Sequence, residues 1–204
     1  MTNPDTSMKG KLLPLRRVDG AAEEMSDEAL IAACAVGERA ALGALFDRHN
    51  DGVYRFVMRA ATTSTTDADD LVQTTFVEVW RSAKKFRSKG SARSWILGIS
   101  SNVIRHHARG EARRRLALNN FAQRPPGLST RPDDEAARRE LVDLLGTALA
   151  RLPHDLRIAF VMCELEDVPG VEAARALSVR PGTMWRRLHQ ARKQLRAALE
   201  GGNQ

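Results

Sequence analysis

The sequence predicts an all-α protein of two small helical domains joined by a flexible linker, and three observations predict it. Apolar residues recur at three- and four-residue spacing through most of the chain, the period of a helix with one buried face. Ala, Leu, Arg and Glu recur throughout, while aromatics make up 5% of the 204 residues, which suits helices better than sheet. One internal stretch, residues 116–133, loses the period and carries Asn119-Asn120, Pro125-Pro126-Gly127 and Pro132, so it reads as a linker. The domains on either side are residues 26–115 and 134–200, after a leader over residues 1–25.

The leader mixes Pro, Gly, Asp and Lys without periodicity and reads as disordered, with Met8 and Met25 as alternative starts to Met1. Ser26 followed by Asp27 and Glu28 is a helix N-cap with acids in the first turn, where the helix dipole favours them. That helix turns Leu30, Ile31 and Cys34 inward and stops near Gly37. A second run, residues 38–49, brings Ala41, Leu42, Leu45 and Phe46, and after Asn50-Asp51 a third brings Val53, Tyr54, Val57 and Met58. Residues 62–66, β-branched and small polar, read as a loop. Asp67 then caps a helix to about Lys85 with Val72, Phe76, Val79 and Ala83 as its inward row. A second row on it, Asp70, Gln73, Thr74, Val77 and Arg81, is left facing out, with Asp69, Leu71 and Trp80 at its margins. Residues 86–91 form a loop with two cations and a glycine. From Ala92 a helix resumes with Ile96, Ile99 and Val103 inward, Phe86 and Trp95 belonging to the core, and it ends in a run from Arg105 to Arg115 where five arginines oppose one glutamate.

In the second domain Leu141, Leu144, Leu145, Ala148 and Leu149 make an amphipathic helix ending near Leu152, and Pro153 starts another with Leu156, Ala159, Phe160 and Cys163 inward. Val171, Ala174 and Leu177 stripe a short helix that Ser178-Val179-Arg180-Pro181-Gly182 breaks. Pro181 suits the entry to a further helix, where its missing N–H falls at a position without an intrahelical partner. Met184, Leu188, Ala191 and Leu195 form the buried seam of that helix, which leaves Thr183, Arg186, His189, Gln190 and Lys193 free. A short helix, a tight turn and a second helix with a polar face fit a helix-turn-helix, whose second helix enters the DNA major groove. Between Arg180 and Arg196 stand six Arg or Lys and no acid, so the phosphate attraction that dominates affinity is present.

The totals narrow the function class. Lys and Arg number 32 against 25 Asp and Glu, a net charge of +7, which favours an anionic partner: nucleic acid first, a membrane surface second. No apolar run is long enough to insert in a membrane and none resembles a signal peptide, so a cytoplasmic protein is expected. Cys34 and Cys163 stand far apart in apolar helical contexts and read as core thiols. His106-His107 lacks a third ligand at useful spacing, no glycine loop suits a phosphate, and no nucleophile has a recognisable base. No metal, cofactor or catalytic residue is expected, and the chain is not read as an enzyme.

Two motifs carry a resemblance. Asp67-Ala68-Asp69-Asp70-Leu71-Val72-Gln73-Thr74-Thr75-Phe76-Val77-Glu78-Val79-Trp80 resembles a D-x-x-D-L-x-Q-x-x-F-x-x-x-W helix, and Gly182-Thr183-Met184-Trp185-Arg186-Arg187-Leu188-His189-Gln190-Ala191-Arg192 is similar to a G-T-V-x-x-R-L-x-x-A-R recognition helix. Both belong to the extracytoplasmic-function (ECF) subfamily of the sigma-70 family, the two-domain specificity subunits of bacterial RNA polymerase. The resemblance implies that Asp69, Asp70, Gln73, Thr74 and Val77 dock on a coiled coil of the beta-prime clamp of core RNA polymerase, whose beta subunit is a further contact. It implies that Arg87, Ser88, Lys89, Gly90, Ser91, Asn102, Arg105 and His106 hold the minus-10 promoter element, capturing a base flipped from the non-template strand. It also implies that Arg180, Gly182, Thr183, Trp185, Arg186, His189, Gln190 and Lys193 read the minus-35 element, with Arg186 the foremost bidentate donor. An anti-sigma factor is a further implied partner, the linker is expected to thread toward the polymerase cleft, and the chemistry of RNA synthesis belongs to the polymerase. The chain departs from the family pattern at Ala92, Pro169-Gly170, Ser178 and Trp185. Two rivals stay open on the sequence: a helix-turn-helix regulator that never meets polymerase, and a helical adaptor whose charge only solubilises it.

Overall fold

In a computed structural model, residues 24–61, 65–87, 90–117 and 136–201 are described, and every regular element among them is helical. Helix α1, Asp27–Val36, starts as its sequence dictates, with the Ser26 Oγ accepting from the Ala29 N–H at 3.2 Å. It ends at Gly37, whose φ of 99° lets its own N–H reach the Cys34 carbonyl and the Glu38 N–H reach that of Ala33. The expected second and third helices are one, α2, Arg39–Ala61. Asn50, Asp51 and Gly52 oppose helix by about 2 kcal/mol together. Burying Phe56 alone returns as much, and Val53, Val57 and Ala60 are buried beside it, so the helix runs through.

Helix α3, Thr65–Ser82, begins ahead of the expected cap at Asp67 and passes into a 3-10 turn, Ala83–Lys85. Residues 62–64 of the expected loop lie outside the described residues. Val72, Phe76, Val79 and Ala83 are buried as their spacing predicts, joined by Ala68, Leu71 and Thr75, whose Oγ1 donates to the Leu71 carbonyl at 2.8 Å. Helix α4, Ala92–Ala117, extends into the expected linker, and the rest of that linker, like residues 1–23 of the leader, lies outside the described residues. Met25, placed in the leader, packs against the core and accepts from Arg48 through its carbonyl.

The second module comprises α5, Ala136–Arg151; α6, His154–Phe160, widening into a π turn, Val161–Leu165; α7, Gly170–Ala176; and α8, Pro181–Gly201. Two apolar assignments are corrected: Leu144 is exposed, and Val171 is 43% exposed. On so short a helix the spacing alone does not choose the face, and α7 buries the small side chains Ala173 and Ala174, which let it approach its neighbours closely. Asp167 and Ser178 take positive φ, 52° and 55°, and end their helices as Gly37 does, with N–H bonds from Val168 to Met162 and from Val179 to Ala174.

The modules do not stand apart on their tether. Helix α7 lies on α4 so closely that a Cβ on Gly98 would sit 2.5 Å from the Ala176 carbonyl oxygen. Arg157, 8% exposed, donates through Nε to the Ala60 carbonyl at 2.7 Å and through Nη1 to those of Leu149, Ala150 and Leu152. One guanidinium thereby closes the C-terminal ends of α2 and α5, where unpaired carbonyls attract cations. A single buried apolar cluster runs from Leu30 to Leu195 across both modules.

Candidate nucleic-acid interface

The outer row of α3 is formed by what its core row leaves over. Asp69, Asp70, Gln73 and Thr74 are exposed, and Val77, 46% exposed, is an apolar side chain left beside them. Between α3 and α4 runs a groove of about 740 Å³ whose walls include Asp70, Thr74, Glu78, Asn102, His106 and Arg114. The fold therefore brings two docking candidates, Asp70 and Thr74, to face two minus-10 candidates, Asn102 and His106.

At the start of α4 the loop is anchored by an edge-to-face contact of Phe86 with Trp95, ring centroids 5.0 Å apart. Arg87 is exposed, its Nη1 donating to the Lys84 and Phe86 carbonyls, while Ser88 and Lys89 lie outside the described residues. Gly90 is half-buried. Ser91 is committed: its Oγ accepts from the Ser94 N–H at 3.2 Å as the cap of α4 and donates to Glu172 at 2.9 Å. Those bonds from the Ser91 hydroxyl and backbone N–H hold the Glu172 carboxyl below its usual range. Arg105 is also engaged, its Nη2 3.0 Å from Asp155 of α6.

On α8 the division into two faces is complete. Met184, Leu188, Ala191 and Leu195 are buried, whereas Arg186, His189, Gln190 and Lys193 are exposed, as are Arg180 and Gly182 at its entry; Thr183 is half-buried. The turn that sets this face outward rests on the left-handed Ser178. Trp185 is 51% exposed, and its ring lies over Gly170, where a Cβ would meet it at 2.9 Å. Two of the departures from the family pattern, Gly170 and Trp185, are thus one contact, a large ring on α8 facing a residue without a side chain on α7. Arg187 pairs with Asp155 of α6, and Arg192 pairs with Glu164 at the surface.

The sequence matches the Sigma-70 region 2 family over residues 45–114 and the Sigma-70 region 4 family over residues 143–195. It is 31% identical to the ECF RNA polymerase sigma factor SigM of Mycobacterium tuberculosis, with 88% of each chain covered. The chain belongs to the ECF sigma factors. It is also 34% identical to the ECF RNA polymerase sigma factor SigE of Mycolicibacterium smegmatis, over 81% of this chain and 65% of that one. Among solved structures, CnrH in complex with the cytosolic domain of CnrY matches with a TM-score of 0.62 at 27% identity, covering 86% of this chain and 97% of that one.

What sequence reasoning missed in this sigma factor is the charge between the modules. Glu166, its side chain 3% exposed, takes Arg59 at 3.0 Å and Arg93 at 2.6 Å. Local pattern gives no sign of that pairing, because its members stand far apart in the chain and Glu166 is one of three acids in Glu164-Leu165-Glu166-Asp167. Cys34 is buried, which pushes its thiol up to about 11, and Cys163 is half-buried with its thiol also raised, so both are inert core groups.

Proposed function

We propose that this ECF sigma factor docks on core RNA polymerase, at the beta-prime clamp and through the beta subunit, with the outer row of α3, namely Asp69, Asp70, Gln73, Thr74 and Val77. The first module, residues 26–115, holds the minus-10 element with Arg87, Ser88, Lys89, Gly90, Ser91, Asn102, Arg105 and His106. The second, residues 134–200, reads the minus-35 element with the exposed face of α8. The observation that carries this reading is α8 itself: four apolar residues fully enclosed on one side, and on the other Arg186, His189, Gln190 and Lys193 in water, on a helix presented by α7 and a tight turn. That geometry suits major-groove readout, in which a planar guanidinium meets a guanine edge. The exposed Val77 among carboxylate and amide groups suits a helix-on-helix contact, which a plain DNA-binding regulator does not need.

The chain supplies no reaction chemistry of its own and acts in the cytoplasm, as expected for a sigma factor. An anti-sigma factor is a partner, supported by relatives solved in complex with one, such as the RpoE–NepR complex from Bartonella quintana. Co-elution with purified core polymerase tests the docking. The wild-type chain co-elutes, and Asp70→Ala together with Gln73→Ala weakens binding at least tenfold, about 1.4 kcal/mol. A double variant that binds core as tightly as wild type refutes the assignment.

A further inference from the structure

Trp185 is the only Phe, Tyr or Trp on α8, and it stands beside Arg186 in the second turn, within the N-terminal part from which a recognition helix reads base edges. It is 51% exposed, and Val171 on α7 is the other exposed large apolar side chain of the helix-turn-helix. A large aromatic ring left half in water forgoes burial that a covering surface would supply.

The ring does not swing freely. A Cβ on Gly170 would stand 2.9 Å from its Cη2 and Cζ2 and 3.4 Å from its Cε2, so the indole rests on the α7 backbone in space that any other residue would fill. That seat fixes the direction of the ring before a ligand arrives, which lowers the side-chain entropy lost on contact. The surroundings say which ligand. Arg180, Arg186 and Lys193 are exposed around it, and no acid lies between Arg180 and Arg196, so the local field draws phosphate. By helical spacing Trp185 and His189 lie one turn apart, on the flank of the face centred on Arg186, Gln190 and Lys193. An indole has no charge, no acceptor and a single N–H donor. The apolar mark that the major groove offers is the C5-methyl of thymine, which sets a thymine pair apart from the others.

We propose that Trp185, seated on Gly170, reads the C5-methyl of a thymine in the minus-35 element, at a pair neighbouring the one that Arg186 reads. The proposal rests on the reading that α8 enters the major groove, and it adds the chemistry of one contact: Arg186 selects guanine by paired hydrogen bonds, and Trp185 selects thymine by apolar contact. Val171, one residue beyond the seat, continues the apolar edge on α7.

Holoenzyme assembled from the full-length chain and core polymerase tests this on a promoter defined by mapping its start site. Each thymidine of the minus-35 element is exchanged in turn for deoxyuridine, which removes the methyl alone, and competition binding is measured at fixed salt. Exchange at one position should weaken binding about fourfold, the effect of one buried methyl. Trp185→Arg should bind the thymidine and deoxyuridine duplexes alike, and its affinity should fall more steeply with salt, by about one unit of the log–log slope. Gly170→Ala, whose Cβ pushes the ring aside, should bring the preference close to one while circular dichroism stays as in wild type. A minus-35 element with no sensitive thymidine overturns the proposal, as does a preference that survives Trp185→Arg or one that Gly170→Ala leaves whole. Failure of the minus-35 reading itself shows separately, as initiation that Arg186→Ala leaves unchanged.

Discussion

Ser178 holds a left-handed conformation at the turn between α7 and α8, where a side chain with a Cβ is strained by about 1 kcal/mol. Ser178→Gly should therefore raise Tm by about 2 °C, a gain that thermal melts read directly and that a fall in Tm would refute. His154 is a second residue whose setting predicts a measurable effect. Burial first, then the charges of Arg105 and Arg157, push its pKa down from 6.5 to about 4, with Asp155 opposing and Arg109 adding to the fall. Between those values the unfolded chain binds a proton that the folded chain refuses, so stability is full above 6.5 and declines as pH falls toward 4. Melts across that window should slope less in His154→Leu than in wild type, and equal slopes would show that another group carries the effect.

At the scale of elements, legibility followed the reach of the interaction that decides each one. The seam of α8 and the inward row of α3 were legible because helical spacing and neighbouring residues decide them, and their residues are buried as expected. The join of two expected helices into α2 was not, because the buried partners of Phe56 and Val57 that override Asn50 and Gly52 come from distant segments. The outward row of α3 and the face of α8 could be named position by position, whereas Ser91 and Arg105 gave no hint that acids of the other module hold them. Arg157 belongs to this scale, since it joins two helix ends. Arg157→Met fills the same space but leaves buried carbonyls unpaired, and denaturant unfolding should show a loss of about 2–3 kcal/mol. A loss below 0.5 kcal/mol, the range of an ordinary surface change, would contradict that role.

Over the whole molecule, linker composition predicted two helical domains, and the two domains among the described residues also pack against each other. Composition reports the tether; it carries no information on whether the tethered parts touch, which depends here on Glu166, Asp155, Glu172 and the bare Cα of Gly98. The two modules act together to direct core polymerase to promoters. Purified full-length chain added to sigma-free core polymerase should start RNA at defined sites across a genomic template pool, and Arg186→Ala should reduce initiation at sites that depend on a minus-35 element by about tenfold or more. Folded chain that yields no defined start with active core would contradict it.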